Sequence, residues 1–480
     1  MASVFAKSCS LSQHQSAENG SKWSSKVTNH TLSLVASNIL DTLDTRRTCN
    51  ATCNSRFAQK GCKIDHLLMR PGNVLRWVRS PAAITLIAFL IIYLALVHYC
   101  SLSFYRDPTS AFFDPTRGYE RKYSHIRQEE ADLFIQNNNG SAPSNPTEPQ
   151  NPQMCVGIAT VARDEEQYVR STIGSLLDGL TQAERADIYL VVLIAHTDPD
   201  AHPIYGEPWL TNVVDKVLLY DVGQTQMTDL ERWEKEKQYR KKAIFDYTYV
   251  LQRCYDSGVH WVTMIEDDTL AVKGWLSKAF ESLEAADFLH PTSNERDWLY
   301  MRLFFTEEFL GWNSEEWPRY LAGAIGVVGM IAMVLLLIRQ FVLDKTITNA
   351  VIAFVCLVCA PACIVLYFAA GRLSVQPLSP GVYEMPKFGC CAQGLVFSRR
   401  MVPKVIARLA QMREGYVDEI IEAWGNELSL VRWVTIPSLL QHIGGHSSKG
   451  DDFGSKSKYD RSVAEKIWNF GFELYDEAVP

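Results

Sequence analysis

Three apolar blocks punctuate the chain: AAITLIAFLIIYLALVHYC (82–100), YLAGAIGVVGMIAMVLLLI (320–338) and AVIAFVCLVCAPACIVLYFAA (350–370). Each comes close to the ~20 apolar residues that a helix needs to cross a bilayer. Uninterrupted runs of that length favour membrane spans over buried core helices. Between the first two blocks the pattern changes. CVGIATVA (155–162), IYLVVLIA (188–195), VDKVLLYD (214–221) and HWVTMIEDD (260–268) read as strands that are largely apolar on both faces. EEQYVRSTIGSLLDGL (165–180) and LERWEKEKQYRKKAIFDYTYVLQRCYD (230–256) read as helices. Strands alternating with helices predict an α/β domain on a largely parallel sheet.

Beyond the third block, KFGCCAQGLVFSRRMVPKVIARL (387–409) reads as a loop, a strand and a helix. GYVDEIIEAWGNE (415–427) is a helix, and SLLQHIGGHSSKG (438–450) a strand entering a glycine-rich turn. Two successive spans form a hairpin that leaves and returns on one side of a membrane, so its flanks can share one domain. The chain thus divides into a mostly disordered tail (1–80), a first span (81–100), and a partly helical stem with a Pro/Asn-rich linker (101–152). The first part of the α/β domain (153–319) follows. Spans at 320–338 and 350–370, joined by a connector (339–349), precede the rest of that domain (371–480).

Flanking charge orients the spans. Arg70, Arg76 and Arg79 precede the first block and Arg106 alone follows it closely, which puts the N-terminal side in the cytosol and the next segment in the lumen. Arg339 and Lys345 make the hairpin connector cytosolic as well. The roughly 80 residues ahead of the first block far exceed the n-region of a cleaved signal peptide. Of 12 cysteines, Cys155, Cys254, Cys390 and Cys391 then lie where disulfides form, with their pairing left open by spacing. Asn139-Gly-Ser is an accessible glycosylation sequon, whereas Asn29-His-Thr and Asn50-Ala-Thr face the cytosol. Cys49, Cys53, Cys62 and His66 are zinc-ligand types, but their central gap is shorter than a zinc finger's, and chance spacing is the reading adopted. A formal net charge of −7 argues against a nucleic-acid partner.

The chemistry concentrates at strand ends. Glu266, Asp267 and Asp268 close an apolar strand, and three adjacent carboxylates repel one another unless a cation joins them. Ligands of open α/β sheets bind outside such carboxyl ends. Oxygen ligands suit Mg²⁺ or Mn²⁺ bridged to a substrate's phosphates. The plain alternative is a solvated loop or an acid-rich helix start. Asp198 and Asp200 follow the second strand, and Arg163, beyond the first, is placed to pair with a phosphate or nucleobase. Asp418, Glu419 and Glu422 open a later helix, where an acid can serve as general base. His442 and His446 are candidates for the metal shell or the diphosphate. There is no Walker A loop, and Gly323, Gly326 and Gly329 read as a helix-packing surface within an apolar block.

Taken in order, VARDEEQYVRSTIGSLLDGL, IEDD, the apolar pair and PSLLQHIGGHSS resemble the post-GPI-attachment GalNAc transferases. Members of that family are Golgi membrane enzymes with a GT-A glycosyltransferase fold interrupted by two transmembrane helices. IEDD and QHIG also resemble elements of the branching N-acetylglucosaminyltransferases, which lack the hairpin. The resemblance runs from about residue 80 to the end, and the long N-terminal tail departs from it. It implies a metal motif at Glu266, Asp267 and Asp268, with Asp268 the direct Mn²⁺ ligand, and a nucleotide contact near Val161 and Arg163. Gln441 to Gly444 carry the C-terminal element, and Asp418, then Glu419, are the choices for general base. The implied reaction is inverting, metal-dependent transfer of GalNAc or a related hexose from a UDP-sugar to the glycan of a GPI-anchored protein or GPI glycolipid. The implied place is the lumenal face of a Golgi membrane, with the endoplasmic reticulum as alternative.

Rival readings are a Golgi transferase acting on N-glycans or glycolipids, a glycoside hydrolase and a non-catalytic membrane scaffold. The hairpin counts against a soluble glycoprotein acceptor. A hydrolase has no need to stack its carboxylates as a metal motif, and a scaffold would tolerate Asp268→Asn. A transporter is disfavoured because the three spans contain no Asp, Glu, Lys or Arg.

Overall fold

The structure is a computed structural model that describes residues 81–140, 149–164, 166–289, 298–341, 347–385, 389, 391–445 and 464–475. All belong to Val74–Pro480, the second of two compact units. The N-terminal tail with Cys49, Cys53, Cys62, His66 and the sequons at Asn29 and Asn50, as well as Cys390 and His446, lie outside the described residues.

In chain order the strands are β1 (Met154–Thr160), β2 (Ile188–Ile194), β3 (Lys216–Leu218), β4 (Trp261–Glu266), β5 (Thr269–Ala271), β6 (Tyr300–Arg302), β7 (Gly381–Glu384), β8 (Gly394–Ser398), β9 (Arg432–Ile436) and β10 (Leu440–His442). Eight form one sheet in the order β3-β2-β1-β4-β8-β6-β9-β7, and β5 pairs with β10 apart from it. The first four of the large sheet run parallel, as their continuous apolar runs predict. The rest of the sheet is mixed. β8 is antiparallel to both β4 and β6, and β7 is antiparallel to β9. The expected largely parallel sheet therefore describes its first half alone.

The helices used below are α1 (Pro81–Ser103), α2 (Tyr123–Asn138), α3 (Val169–Leu177), α4 (Gln224–Lys235), α5 (Tyr239–Asp256), α6 (Trp275–Leu289), α7 (Trp317–Phe341), α8 (Asn349–Ala369), α9 (Val402–Met412) and α10 (Val417–Glu427). Met154, Val156 and Ile158 of β1 join an apolar cluster with α2, α3 and α6. Cys155 on the alternate face joins α5, α9 and α10 in a second cluster. The two-residue alternation of a strand thus serves both layers. A disulfide between Cys155 and Cys254 fastens β1 to α5, and Cys391 is disulfide-bonded as well.

Two segments depart from the sequence pattern. The helix expected over 230–256 is two, α4 and α5, because Lys237 adopts a left-handed φ of 55° between them. Residues read as a stem are packed into the core: Ala131 and Ile135 of α2 are fully buried. Arg127 of α2, buried with them, donates from Nε to Ala271 O (3.1 Å) and from Nη2 to Ser175 O (3.1 Å). It also pairs with Asp178 at 2.8 Å and with Glu130. A buried guanidinium with its donors satisfied is a docking element, not a spacer.

Among the described residues three helices, within Ala83–Ser103, Glu307–Phe341 and Asn349–Ala369, are long and apolar enough to cross a membrane. Ile91, Ile325 and Leu357 stand more than half exposed on them, as lipid-facing side chains would. Within α8 the turn Val355–Cys359 is π-helical, just ahead of Pro361, whose ring clashes with the carbonyl one turn back. In sequence, α7 and α8 fall between β6 and β7, yet β8 sits between β4 and β6. Chain from both sides of the apolar pair therefore completes one sheet.

The C-terminal ends of α1 and α8 and the N-terminal end of α7 are knitted together. Ala111 N donates to Ala369 O (2.7 Å), and Trp312 Nε1 donates to Phe368 O (3.1 Å). Asp107 Oδ2 accepts from Ser374 N (2.9 Å) and Ser374 Oγ (2.8 Å). Gly371 between these contacts has φ 92°, and a Cβ there would lie 2.4 Å from Asp107 Oδ2, so glycine is required twice over.

Candidate active site

β4 delivers Glu266 to the sheet edge, Asp267 and Asp268 form the turn, and β5 leaves at Thr269. Pairing of β5 with β10 sets His442 opposite Thr269. Ile443 N donates to Asp268 O (2.9 Å), and His442 Nε2 comes to 3.5 Å from Asp268 Oδ2. Gly444 permits that approach, since a Cβ there would stand 2.5 Å from the same oxygen.

Asp267 is buried, and its oxygens are occupied. Arg163 donates to it through both terminal nitrogens (2.8 and 2.6 Å), and Thr160 Oγ1 donates to Oδ2 (2.7 Å). Arg163 Nη2 also reaches Asp268 Oδ2 at 3.2 Å. Burial opposes the charge of Arg163, but these carboxylates outweigh it and hold the guanidinium protonated. A second layer fixes the first. His202 Nδ1 accepts from Ile204 N (3.3 Å), which leaves Nε2 to donate to Thr160 Oγ1 (3.1 Å) while Thr160 donates onward to Asp267. Burial lowers the pKa of His202 to about 4, in keeping with that neutral tautomer. Thr172 Oγ1 donates to Asp267 O (2.9 Å) and accepts from Thr269 N (3.1 Å), tying the turn to α3.

Burial works against charge on His442 as well, yet Asp268 and then Glu266 prevail and raise its pKa. That pull marks a spot of negative potential suited to a cation. A cation bound there would find one oxygen ligand in Asp268 and one nitrogen ligand in His442. Among the described residues no set of three or more His, Cys, Asp or Glu is grouped to hold a metal, so Glu266 does not complete a set with them. A hard divalent ion that takes few protein ligands and shares its shell with substrate phosphates fits this pair.

Glu266 acts on a further group as well. The pKa of the Tyr247 phenol on α5 is raised well above its ordinary value by burial, then by the nearby charges of Glu266 and Asp418. Negative charge on β4 and α10 thus opposes ionisation of that phenol. Asp418, in the first turn of α10, accepts from Cys391 N through Oδ2 (2.9 Å), while neighbouring Glu419 is exposed. Glu422, one turn on, is no candidate for proton transfer. It sits buried between Arg302 (2.6 Å) and Arg432 (2.5 Å) and also accepts from Tyr300. Arg302 in turn donates to Cys391 O, so this network braces the loop that holds Asp418.

The remaining sequence-derived candidates lie nearby or apart. Val161 follows β1 half-buried. Asp198 is exposed and caps a short helix by accepting from Asp200 N (3.2 Å). Thr160, Thr172, Tyr168, His196 and His202 were not singled out by sequence pattern. His196 Nε2 accepts from Ala162 N (2.9 Å), at the end of β2, and the HTDPD run after that strand was the available signal.

The chain matches the family described as GPI-N-acetylgalactosamine transferase PGAP4 over residues 154–441. It is also similar to alpha-1,3-mannosyl-glycoprotein 4-beta-N-acetylglucosaminyltransferase A of Macaca fascicularis, 25% identical over 134 residues, or 25% of each chain. Alpha-1,3-mannosyl-glycoprotein 4-beta-N-acetylglucosaminyltransferase B of Mus musculus is 27% identical over 134 residues, 25% of this chain and 24% of that protein. The match thus spans about a quarter of these relatives' length. The family match takes in β1 through Gln441 of β10, and with it Arg163, Asp267, Asp268 and Asp418. The chain belongs to the GPI-N-acetylgalactosamine transferase PGAP4 family.

Proposed function

We propose that the protein is a GT-A glycosyltransferase that moves GalNAc, or a related hexose, from a UDP-sugar to the glycan of a GPI-anchored protein or GPI glycolipid. The observation that carries this reading is the Asp268–His442 pair at the edge of the sheet, in a chain of this family. Mn²⁺ or Mg²⁺ held by these two residues would neutralise charge on the departing diphosphate. Arg163, locked by Asp267 and Asp268, adds fixed positive charge at the same edge and needs no reorganisation during reaction. Asp267 serves by holding Arg163, since its own oxygens are occupied.

The acceptor hydroxyl gives its proton to Asp418 while its oxygen bonds to the anomeric carbon. The bond from that carbon to the phosphate oxygen breaks on the opposite face, and UDP leaves with the electron pair, so the configuration inverts. Helices α1, α7 and α8, the last two as a hairpin, hold the domain against a bilayer, with the basic N-terminal flank in the cytosol and the site in the Golgi lumen. A domain fixed at a membrane favours an acceptor that is itself lipid-linked.

The similarity to 4-beta-N-acetylglucosaminyltransferases supports a second reading, transfer to N-glycans. Full-length protein in nanodiscs, given UDP-GalNAc, UDP-Gal or UDP-GlcNAc with a GPI-anchored glycoprotein, separates the two. The first reading predicts added mass on the phospholipase-released anchor glycan, and the second predicts it on the N-glycan.

A further inference from the structure

The strand that carries His442 is short. β10 has 3 residues and pairs with β5 apart from the main sheet, and a two-stranded ladder of that size is marginal by itself. Yet His442, its last residue, keeps Nε2 at 3.5 Å from Asp268 Oδ2. Past the strand, Ile443 N is held by Asp268 O, and Gly445 N donates to Tyr168 Oη (3.1 Å). Within the strand, side chains alternate, so His442 leaves on one face and Gln441 on the other. A grip on Gln441 therefore sets the rotation of β10 about its own axis, and with it the aim of His442.

The C-terminal segment supplies that grip. Gln441 pairs with the backbone of Asn469 in both directions: Asn469 N donates to Gln441 Oε1 (2.9 Å), and Gln441 Nε2 donates to Asn469 O (2.8 Å). Gln441 Nε2 also donates to Glu473 Oε1 (3.0 Å). The other oxygen of Glu473 accepts from Lys122 N (2.7 Å) and Ser124 N (3.2 Å), at the start of α2. Asn469 is anchored in turn, with Nδ2 donating to Phe305 O (2.7 Å) and Oδ1 accepting from Phe472 N (2.7 Å). Glu307, on the approach to α7, accepts from Phe470 N (2.9 Å) and Gly471 N (2.7 Å). Residues 469–473 thus strap β10 to the chain that follows α1 and to the chain that leads into α7. Gln441, Asn469 and Glu473 are all buried, where polar groups are costly unless each partner is in place, so the network admits one setting of the strand. We propose that Gln441, Asn469 and Glu473 are positioning residues that hold His442 at Asp268, so that this strap sets the affinity of the site for its divalent cation. The proposal rests on the Asp268–His442 metal reading above, and it makes none of the three a contact of metal or substrate.

The probes are Mn²⁺ and UDP, added to full-length protein in nanodiscs. Pulsed electron paramagnetic resonance of bound Mn²⁺ detects a ligating nitrogen, and wild type should show a coupling that His442→Gln lacks. Gln441→Met keeps the length of the side chain and removes its donor and acceptor. It is expected to lose the nitrogen coupling and to raise by roughly tenfold the Mn²⁺ concentration that half-saturates UDP binding, with UDP affinity at saturating Mn²⁺ within about threefold of wild type. A folded Gln441→Met that keeps the coupling and the wild-type Mn²⁺ requirement overturns the proposal. Weaker UDP binding at every Mn²⁺ concentration, with the coupling intact, overturns it too, because that marks a structural role alone. Glu473→Gln keeps an acceptor for Lys122 N and sets an amide N–H against that of Gln441, and it makes the same test should Gln441→Met fail to fold. A wild type that binds Mn²⁺ and UDP with no nitrogen coupling overturns the Asp268–His442 reading itself, and the positioning role with it.

Discussion

His442 Nε2 lies 3.5 Å from Asp268 Oδ2, although α7 and α8 separate the two residues in sequence. The approach depends on Gly444, where a Cβ would fall 2.5 Å from Asp268 Oδ2 and 3.0 Å from His442 Nε2. Gly444→Ala is expected to push these groups apart and weaken Mn²⁺-dependent UDP binding by roughly tenfold or more, at little cost to thermal stability. Calorimetry and a melting curve on the same sample check both halves.

Asp418 and Glu419 differ in setting: one is held by Cys391 N, and the other is exposed. Asp418→Asn retains an oxygen acceptor for Cys391 N while losing the base. Its kcat is expected to fall by roughly 10²–10⁴-fold with donor affinity intact. Glu419→Gln should stay near wild type. The reverse pattern in steady-state transfer assays would move the base to Glu419.

Glu422 is bonded to Arg302, Arg432 and Tyr300 in the interior. Glu422→Gln leaves two buried guanidinium groups without their carboxylate and is expected to cost about 3–5 kcal/mol of stability. Because Arg302 also holds the Cys391 carbonyl, kcat should fall with stability. Urea unfolding of the detergent-solubilised protein measures the first effect, and transfer assays well below the unfolding midpoint measure the second.

His202 gives a pH dependence with a definite sign. Its folded-state pKa is lowered to about 4, from an ordinary value near 6.5, so the unfolded chain binds more protons between those values. Its contribution is fully present above about pH 6.5 and is lost as pH falls towards 4, by up to roughly 3 kcal/mol. The stability of His202→Gln should therefore decline less than that of wild type over this range. Parallel slopes in pH-resolved unfolding would contradict a buried neutral His202.

Much of this was legible in the sequence, for identifiable reasons. Strands such as Trp261–Glu266 are apolar on both faces and end in acids, a combination with few alternatives. The apolar spans announce themselves by length, and HIGG marks a turn where backbone must come close to something. Other features depend on tertiary partners. Arg127 looks like a surface residue until Asp178, Ser175 and Ala271 surround it, so the docking of α2 was not readable. Thr160, Thr172 and His202 are ordinary residue types whose role comes from neighbours far along the chain. Lys237 breaks a helix with no glycine or proline to signal it.

The central claim is that Asp268 and His442 form the metal-dependent edge of a UDP-sugar site. The most direct measurement is calorimetric titration of UDP into the full-length protein in nanodiscs, with and without Mn²⁺, for wild type and Asp268→Asn. The account predicts binding in wild type that requires Mn²⁺ and disappears in a folded Asp268→Asn variant. Equal UDP affinity with and without metal, or undiminished binding by Asp268→Asn, would contradict it.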